Sequence, residues 1–187
     1  MLTINFEPFP NLETERLLLR RVVQNDVNEV FALRSDKEVM QYIPRPLAIT
    51  IADAAAHIDT IDATINNNEG INWAITLKGT DTLIGLIGHY RIQAINHRAE
   101  VGYILSPKFQ RQGIVVEAMK KVVEYGFKEM KLHSIEAVID PNNIGSEKVL
   151  QKSGFKKEAH FIENQFYEGK YTDTVIYSLL NNDNYQN

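Results

Sequence analysis

Three apolar segments in the middle of the chain constrain the fold most, because only short turns separate them. Residues 71–77, 83–91 and 99–105 are rich in β-branched and aromatic side chains, which is typical of strands. The turns between them, around residues 79–81 and 94–97, are too short to hold a crossover helix. The pattern therefore predicts an antiparallel meander of three strands.

Segments with helical spacing lie on both sides of this meander. Thr50 and Asp53 have the spacing of a capping box, and the apolar residues after them recur at helical intervals. A second amphipathic segment follows Gly113, and a third runs from about residue 143 to Gly154, a glycine that suits a left-handed helix end. A mixed, mostly antiparallel sheet with helices on both faces buries all of these surfaces, so we expect an α/β fold.

The length and composition of the chain predict its organisation. It has 187 residues, 44% of them apolar and 24% charged, and no stretch inside it resembles a linker. We therefore expect one domain over residues 1–187, with a core at about 12–180. The first ten residues are expected to form a loose arm, and the polar residues 181–187 a frayed end. No signal peptide and no apolar span of ~20 residues is visible, so we expect a cytoplasmic protein without a membrane partner.

Composition also excludes several kinds of chemistry. The chain has no cysteine, which excludes disulfides, thiolate metal sites and a cysteine nucleophile. Its five histidines show no paired-ligand spacing, so no metal site is predicted. A net charge of −4 and a pI of 5.7 disfavour nucleic acid as a direct partner and suit a cationic substrate such as an amine.

The third strand of the meander runs into a loop that ends with Gly113 at the start of a helix. The first N–H groups of a helix have no partner within it, and the helix dipole is positive there, so a phosphate can bind them directly. Gly113 has no side chain to keep a pyrophosphate away, and Arg111 can add a positive charge. An ordinary strand-to-helix turn would use the same residue types, and one glycine does not decide between the two interpretations.

Four linked motifs resemble the GNAT (GCN5-related N-acetyltransferase) superfamily and its RimJ/RimL-type branch. Gln110-x-x-Gly113-x-Val115 is similar to the family's acyl-CoA loop, although the family prefers glycine or alanine where Val115 stands. The other segments that resemble the branch are Thr14-Glu15-Arg16-Leu17-Leu18-Leu19-Arg20, Glu100-Val101-Gly102-Tyr103, and Asn143-x-x-Ser146 with the later Lys152-x-Gly154-Phe155. The resemblance implies the GNAT fold and an acetyl-CoA-dependent N-acetyltransferase.

The resemblance also implies where acetyl-CoA binds. In this fold a bulged central strand splays from its neighbour, and the pantetheine pairs with the exposed edge, which here corresponds to Tyr103, Ile104 and Leu105. The N–H of Leu105 would stabilise the oxyanion of the attacked thioester. Asn143 and Ser146 are implied as further contacts to the cofactor. The residues implied at the pyrophosphate are Gln110, Arg111, Gln112, Gly113, Ile114 and Val115.

Glu100 and Ser146 are the catalytic residues that the resemblance implies. The amine attacks the thioester directly, and Glu100 would accept its proton, through a water molecule. Ser146 would protonate the leaving thiolate, since Leu150 stands where many members of the family have a tyrosine. Without these roles, Glu100 would be a strand carboxylate paired with Arg98, and Ser146 would lie in the first turn of a helix capped by Asn143.

The sequence does not decide which molecule supplies the acceptor amine. The main hypothesis is the N-terminal α-amine of a protein, with a ribosomal protein as the favoured example; the alternatives are a small amine, such as a polyamine or an aminoglycoside, and a non-catalytic acyl-CoA sensor. The family places its acceptor wall at residues 34–45, and acidic residues such as Asp36, Glu38, Asp53 and Asp59 would favour a polycation if they lined it. The branch often forms homodimers, and the sequence leaves the oligomeric state open.

Overall fold

The computed structural model describes residues 2–181, which form an eight-stranded mixed sheet flanked by five α-helices. The strands are β1 (Leu12–Glu13), β2 (Leu17–Arg21), β3 (Ile71–Leu77), β4 (Leu83–Gln93), β5 (Arg98–Leu105), β6 (Ser134–Ile139), β7 (Lys156–Tyr167) and β8 (Lys170–Leu180). The helices are α1 (Val27–Ser35), α2 (Lys37–Met40), α3 (Ile51–Asn66), α4 (Ile114–Lys128) and α5 (Ile144–Lys152). The tail predicted to fray lies outside the described residues after Asn181.

The sheet has the strand order β1-β2-β3-β4-β5-β6-β8-β7, and β5–β6 is its parallel pair within the described residues. Strands β3, β4 and β5 form the predicted antiparallel meander. Strand β8 lies between β6 and β7, an order that strand periodicity does not reveal. The predicted α/β fold, with a mostly antiparallel mixed sheet, is confirmed.

Helix α3 begins as its sequence predicts. The Thr50 hydroxyl accepts a hydrogen bond from the Asp53 N–H at 3.3 Å, and the Asp53 carboxylate accepts one from the Thr50 N–H at 2.8 Å. These two bonds satisfy N–H groups that have no partner within the helix. The helix buries the stripe formed by Ala54, Ile58, Ile61 and Ile65.

The first residues of the chain pack against the domain, so the expectation of a loose arm is wrong. Phe6 is 1% exposed, and its N–H donates to the Asn68 side-chain oxygen at 2.9 Å. Trp73, which is fully buried in β3, donates its indole N–H to the Pro10 carbonyl at 2.7 Å. The apolar residues of this arm have no regular spacing, so the sequence pattern did not indicate that they are buried. Their partners, such as Asn68 and Trp73, lie far away in the sequence.

A bulge interrupts the pairing of β4 with β5. Tyr90 pairs with Glu100, but the next pair is Gln93 with Arg98, so β4 contains one extra residue there. Arg91, inside the bulge, has a φ of 47°, in the left-handed region. The resemblance placed a bulge on the strand that splays; the structure instead places it on the neighbouring strand, β4.

Strand β5 separates from β6 shortly after the two begin to pair. The parallel pairing covers only Arg98 to Glu100, opposite Ser134 to Glu136. Beyond it, residues 101–105 have no partner strand on that side among the described residues. The two strands therefore open into a gap that narrows towards Glu100.

Gly88 shows how closely the strands of the meander pack. A Cβ atom there would lie 2.3 Å from the Ile71 carbonyl oxygen and 2.9 Å from the Asn72 Cα. Both of these are backbone atoms, so a side chain could be accommodated only if the strands moved apart.

We therefore expect Gly88→Ala to lower the free energy of unfolding by about 1–3 kcal/mol, because the added methyl group forces the strands apart. Chemical denaturation followed by circular dichroism measures this change. Gly145→Ala is the matched control, since its new Cβ would lie 3.5 Å from its nearest neighbour, the Asn143 side-chain oxygen. An unfolding midpoint for Gly88→Ala equal to that of the parent would contradict the packing argument.

Candidate active site

The open edge of β5 presents backbone groups of alternate residues. The Ser106 N–H donates to the Ile84 carbonyl of β4 at 2.9 Å. Because backbone groups of successive strand residues point to opposite sides, Leu105 and Tyr103 direct their N–H and C=O groups away from β4, into the gap. Ile104 directs its own groups towards β4. Of the three residues predicted at this edge, two can therefore pair with a ligand through the backbone.

The first turn of α5 lies across the gap from this edge. The Asn143 side-chain oxygen accepts a hydrogen bond from the Ser146 N–H at 3.0 Å and so caps the helix. The Tyr103 hydroxyl donates to the Ser146 carbonyl at 3.4 Å. Burial raises the pKa of Tyr103 to about 12, so this phenol stays protonated. The structure therefore brings together three predicted site residues from β5 and α5.

The Ser146 hydroxyl makes no hydrogen bond to any residue in the described part of the chain, and the side chain is half-buried. The Ser146 backbone N–H donates to the helix cap, and the Ser146 Oγ is free to bond to another partner. The capping role and a role for the hydroxyl are therefore compatible.

The loop between β5 and α4 turns through two left-handed residues. Arg111 has a φ of 61° and Gly113 a φ of 76°, and α4 begins directly after Gly113. The side chains of Ile114 and Val115 are buried, so these two predicted site residues can offer a ligand only their backbone N–H groups. The other predicted loop residues, Gln110 to Gly113, are exposed.

A network from the start of the chain holds this loop in place. Glu117 on α4 accepts hydrogen bonds from the Thr14 hydroxyl at 2.6 Å and from the Arg16 N–H at 2.9 Å. The Arg16 guanidinium pairs with the same carboxylate at 2.7 Å and donates to the Gln112 carbonyl at 3.1 Å. Burial raises the pKa of Glu117, but the bonds from Thr14 and Arg16 outweigh it and leave the pKa below its ordinary value. The sequence motifs contained Thr14 and Arg16 without indicating that these residues contact α4.

A cavity of about 550 Å³ lies beside the loop and the exposed face of α4. Lys121 pairs with Glu124 at 3.0 Å, whereas Lys120 and Lys152 have no acidic partner among residues 2–181. Sequence reasoning missed these lysines as site residues. The signal that could have found them is the exposed basic position of Lys120, two helical turns after Gly113. The full lining is Glu13, Thr14, Glu15, Gly113, Val116, Glu117, Lys120, Lys121, Glu124 and Lys152.

Glu100 lies where β5 and β6 begin to separate. Its side chain is 17% exposed, and one carboxylate oxygen lies 2.8 Å from the Arg91 guanidinium. Burial raises the pKa of Glu100, Arg91 opposes this, and Glu136 adds to it, so the pKa stays above its ordinary value. The expected partner Arg98 pairs instead with Glu136 at 2.6 Å, because the bulge in β4 brings Arg91 to Glu100.

Tyr90 on β4 lies directly opposite Glu100 in the sheet. It is the register partner of Glu100, and a ring carbon lies 3.2 Å from the point where a Cβ of Gly102 would be. Tyr90, Glu100 and Gly102 therefore share one face of the sheet, while His89 on the opposite face contacts the Val122 carbonyl of α4 at 3.0 Å.

Three of the four acidic residues considered for the acceptor wall have structural partners, and the fourth, Glu38, is exposed. Asp36 caps α2 by accepting from two backbone N–H groups, the nearer at 2.8 Å. Asp53 caps α3, and Asp59 accepts from the Gln24 side chain at 2.6 Å. Within residues 2–181, no group of three or more histidine, aspartate or glutamate side chains could hold a metal ion. No helix in that range is long and apolar enough to cross a membrane.

Comparison with known proteins places this arrangement in a family. A family model described as "Acetyltransferase (GNAT) domain" matches residues 16–156. The N-acetyltransferase YoaA of Bacillus subtilis (strain 168) is 37% identical over 172 residues, which cover 92% of this chain and 97% of YoaA. A GNAT-family acetyltransferase structure from Bacillus anthracis has a TM-score of 0.82 at 30% identity and covers 91% of this chain and 98% of its own.

A structure of RimL, a ribosomal alpha-N-protein acetyltransferase in complex with coenzyme A, has a TM-score of 0.83 at 18% identity. It covers 91% of this chain and 98% of its own, which shows a shared fold. The predicted resemblance to the GNAT superfamily is confirmed. The chain belongs to the GNAT family of acetyltransferases, and it is an acetyl-CoA-dependent N-acetyltransferase.

Proposed function

We propose that this acetyltransferase acts on the N-terminal α-amine of a protein, with a ribosomal protein as the favoured example, and that the gap between β5 and β6 binds the donor. The observation that carries the proposal is the free backbone edge at Tyr103 and Leu105, which leads directly to the start of α4. An open strand edge can pair with an extended amide-containing chain, and pantetheine is such a chain. The resemblance to the RimJ/RimL-type branch supports the choice of acceptor.

The donor is proposed to lie along this edge with its phosphates at the helix start. Free N–H groups at the start of α4 and the exposed side chain of Arg111 would bind the pyrophosphate. The cavity beside Gly113 is proposed to take the nucleotide end of CoA, where Lys120 and Lys152 supply positive charge to its phosphate.

The proposed reaction is a direct transfer. The amine nitrogen bonds to the acetyl carbon, and the Leu105 N–H stabilises the oxyanion while the carbon–sulfur bond breaks. Glu100 takes the proton that the amine loses, through a water molecule, and the Ser146 hydroxyl gives a proton to the thiolate. The unbonded Oγ of Ser146 and the position of Glu100 at the narrow end of the gap support these roles.

A small amine is the second candidate acceptor. The structure of spermidine N-acetyltransferase from Vibrio cholerae, in complex with CoA and spermine, has the same fold with a TM-score of 0.80 at 22% identity. The family assignment gives no support to the non-catalytic sensor considered from the sequence.

Free-thiol release from acetyl-CoA, measured over a panel of acceptors, tests the acceptor class. We expect faster release with peptides that begin with serine, alanine or aspartate than with polyamines, aminoglycosides or free amino acids. N-terminally blocked versions of the same peptides are the control, because they lack the reacting amine. Faster release with spermidine than with every peptide would contradict the proposal.

Gly113→Asp is expected to weaken acetyl-CoA binding by at least about tenfold, because its carboxylate would repel the pyrophosphate at the helix start. Isothermal titration calorimetry with acetyl-CoA measures the dissociation constant. Gly79→Asp is the matched control: Gly79 also has a positive φ, 85°, and nothing lies within 4 Å of its added Cβ. Equal affinity of Gly113→Asp and the parent would remove the phosphate assignment.

Glu100→Gln is expected to lower kcat/KM at neutral pH by about 10²–10⁴-fold, the usual contribution of a general base. The loss should shrink at high pH, where the amine is already deprotonated. In the parent, kcat/KM should rise with pH through the raised pKa of Glu100, because only the ionised carboxylate accepts a proton. Steady-state pH profiles measure both effects, and Glu129→Gln, on the exposed end of α4, is the control. Parallel profiles for Glu100→Gln and the parent would show that Glu100 is not the base.

A further inference from the structure

Two arginines beside the predicted acceptor wall have no acidic partner in the described part of the chain. Of the eight arginines in the sequence, five pair with a carboxylate in the structure and three, Arg34, Arg45 and Arg111, do not. Arg111 lies in the loop proposed to bind the pyrophosphate. Arg34 and Arg45 therefore stand out, because the donor site does not account for them.

The backbone brings these two arginines to the same place. Arg34 is in the last turn of α1, and its carbonyl accepts a hydrogen bond from the Ala48 N–H at 3.0 Å. This bond folds the segment that contains Arg45 back onto the end of α1. The charges are close enough that Arg45 helps burial to lower the pKa of Arg34.

The Glu100 carboxylate is close enough to interact electrostatically with Arg45, but it already pairs with Arg91 at 2.8 Å. Burial, together with Arg34 and Arg45, lowers the pKa of His57 to about 4, so this half-buried histidine is uncharged at neutral pH. Burial raises the pKa of Tyr90, which keeps its hydroxyl protonated. Arg34 is half-buried, where a guanidinium without a counter-ion is costly, while Arg45 is exposed. Arginine binds carboxylate and phosphate through two parallel hydrogen bonds. The surroundings suit an anion supplied by a ligand.

The position of the pair indicates which ligand supplies that anion. Arg34 and Arg45 both act electrostatically on Tyr90, the register partner of Glu100. The donor's phosphates are proposed to bind beyond Leu105, five residues further along β5, which is roughly 16 Å away at the rise of a strand. The pair therefore lies at the acceptor end of the gap, out of reach of the donor phosphates.

We propose that the acceptor carries an anionic group, a carboxylate or a phosphate, close to its amine, and that Arg34 and Arg45 bind this group while Glu100 faces the amine. The proposal rests on the function proposed for the site and specifies its acceptor. It disfavours a polyamine, because two arginines repel a polycation. It also fits the structural roles of Asp36 and Asp53, whose carboxylates cap helices.

Matched acceptor pairs that differ only in the anionic group test this inference. The pairs are a peptide that begins Ser-Asp against one that begins Ser-Asn, and phosphoethanolamine against ethanolamine, with spermidine as the cationic reference. The first pair reports on a carboxylate and the second on a phosphate. With the parent protein, we expect kcat/KM for free-thiol release to be at least about tenfold higher for the anionic member of at least one pair.

Variants of Arg34 and Arg45 then test whether these two arginines cause the preference for the anionic acceptor. Arg34→Gln and Arg45→Gln should each reduce the preference about tenfold, by raising KM for the anionic acceptor while KM for acetyl-CoA stays unchanged. Arg45→Lys should keep part of it, because the charge remains. Arg21→Gln is the matched control, since Arg21 already pairs with Asp62 at 3.0 Å.

The inference is overturned if the parent acetylates both members of every pair equally, prefers spermidine, or releases no thiol with either anionic acceptor although acetyl-CoA binds. It is also overturned if both glutamine variants keep the parent's preference. Failure of the donor site itself is distinguished by calorimetry, because a protein that does not bind acetyl-CoA would contradict the function proposed above.

Discussion

The separation of β5 from β6 is the constraint on which the rest of the site depends. A strand inside a sheet normally satisfies its backbone groups on both sides, but β5 has a partner on the β6 side only up to Glu100. The N–H and C=O groups of Tyr103 and Leu105 are therefore left for a ligand, and the narrow end of the gap holds Glu100. An exposed strand edge is a liability in most proteins, and here it is the proposed binding surface for the donor.

The proposed donor end of the gap is held by contacts between residues far apart in sequence. Glu117, one turn into α4, binds Thr14 and Arg16 from the start of the chain, and Arg16 also reaches the Gln112 carbonyl. These bonds join the edge of the sheet to the start of α4 and to the loop before it, which contains the two left-handed residues Arg111 and Gly113. A preorganised anion site loses less entropy when a phosphate binds.

The proposed donor and acceptor ends of the gap both hold basic side chains without a carboxylate partner among the described residues, but in different surroundings. At the proposed donor end, Gly113 at the helix start, Lys120, Lys152 and four glutamates are among the residues that line a cavity open to solvent. At the proposed acceptor end, Arg34 and Arg45 act electrostatically on Tyr90, which shares a face of the sheet with Glu100, a carboxylate whose pKa is raised. Glu100 pairs with Arg91, so one carboxylate and two arginines without an ion pair in the described part of the chain lie at the proposed site of the amine. This arrangement suits an acceptor that has an amine and an anionic group.

The sequence by itself determined the elements that depend on neighbouring residues. These are the capping box of α3, the meander, the apolar stripe of α4, the glycine before the start of α4 (Gly113) and the glycine after the end of α5 (Gly154). Short-range spacing encodes these features, and motif resemblance added the family and the candidate site residues. Only the tertiary structure decided the parallel β5–β6 pair, the insertion of β8 and the burial of Phe6. It also decided that Glu100 pairs with Arg91 and that Arg34 and Arg45 lack acidic partners within the described residues. These contacts depend on strand register and on packing between distant segments, which no local pattern of residues specifies.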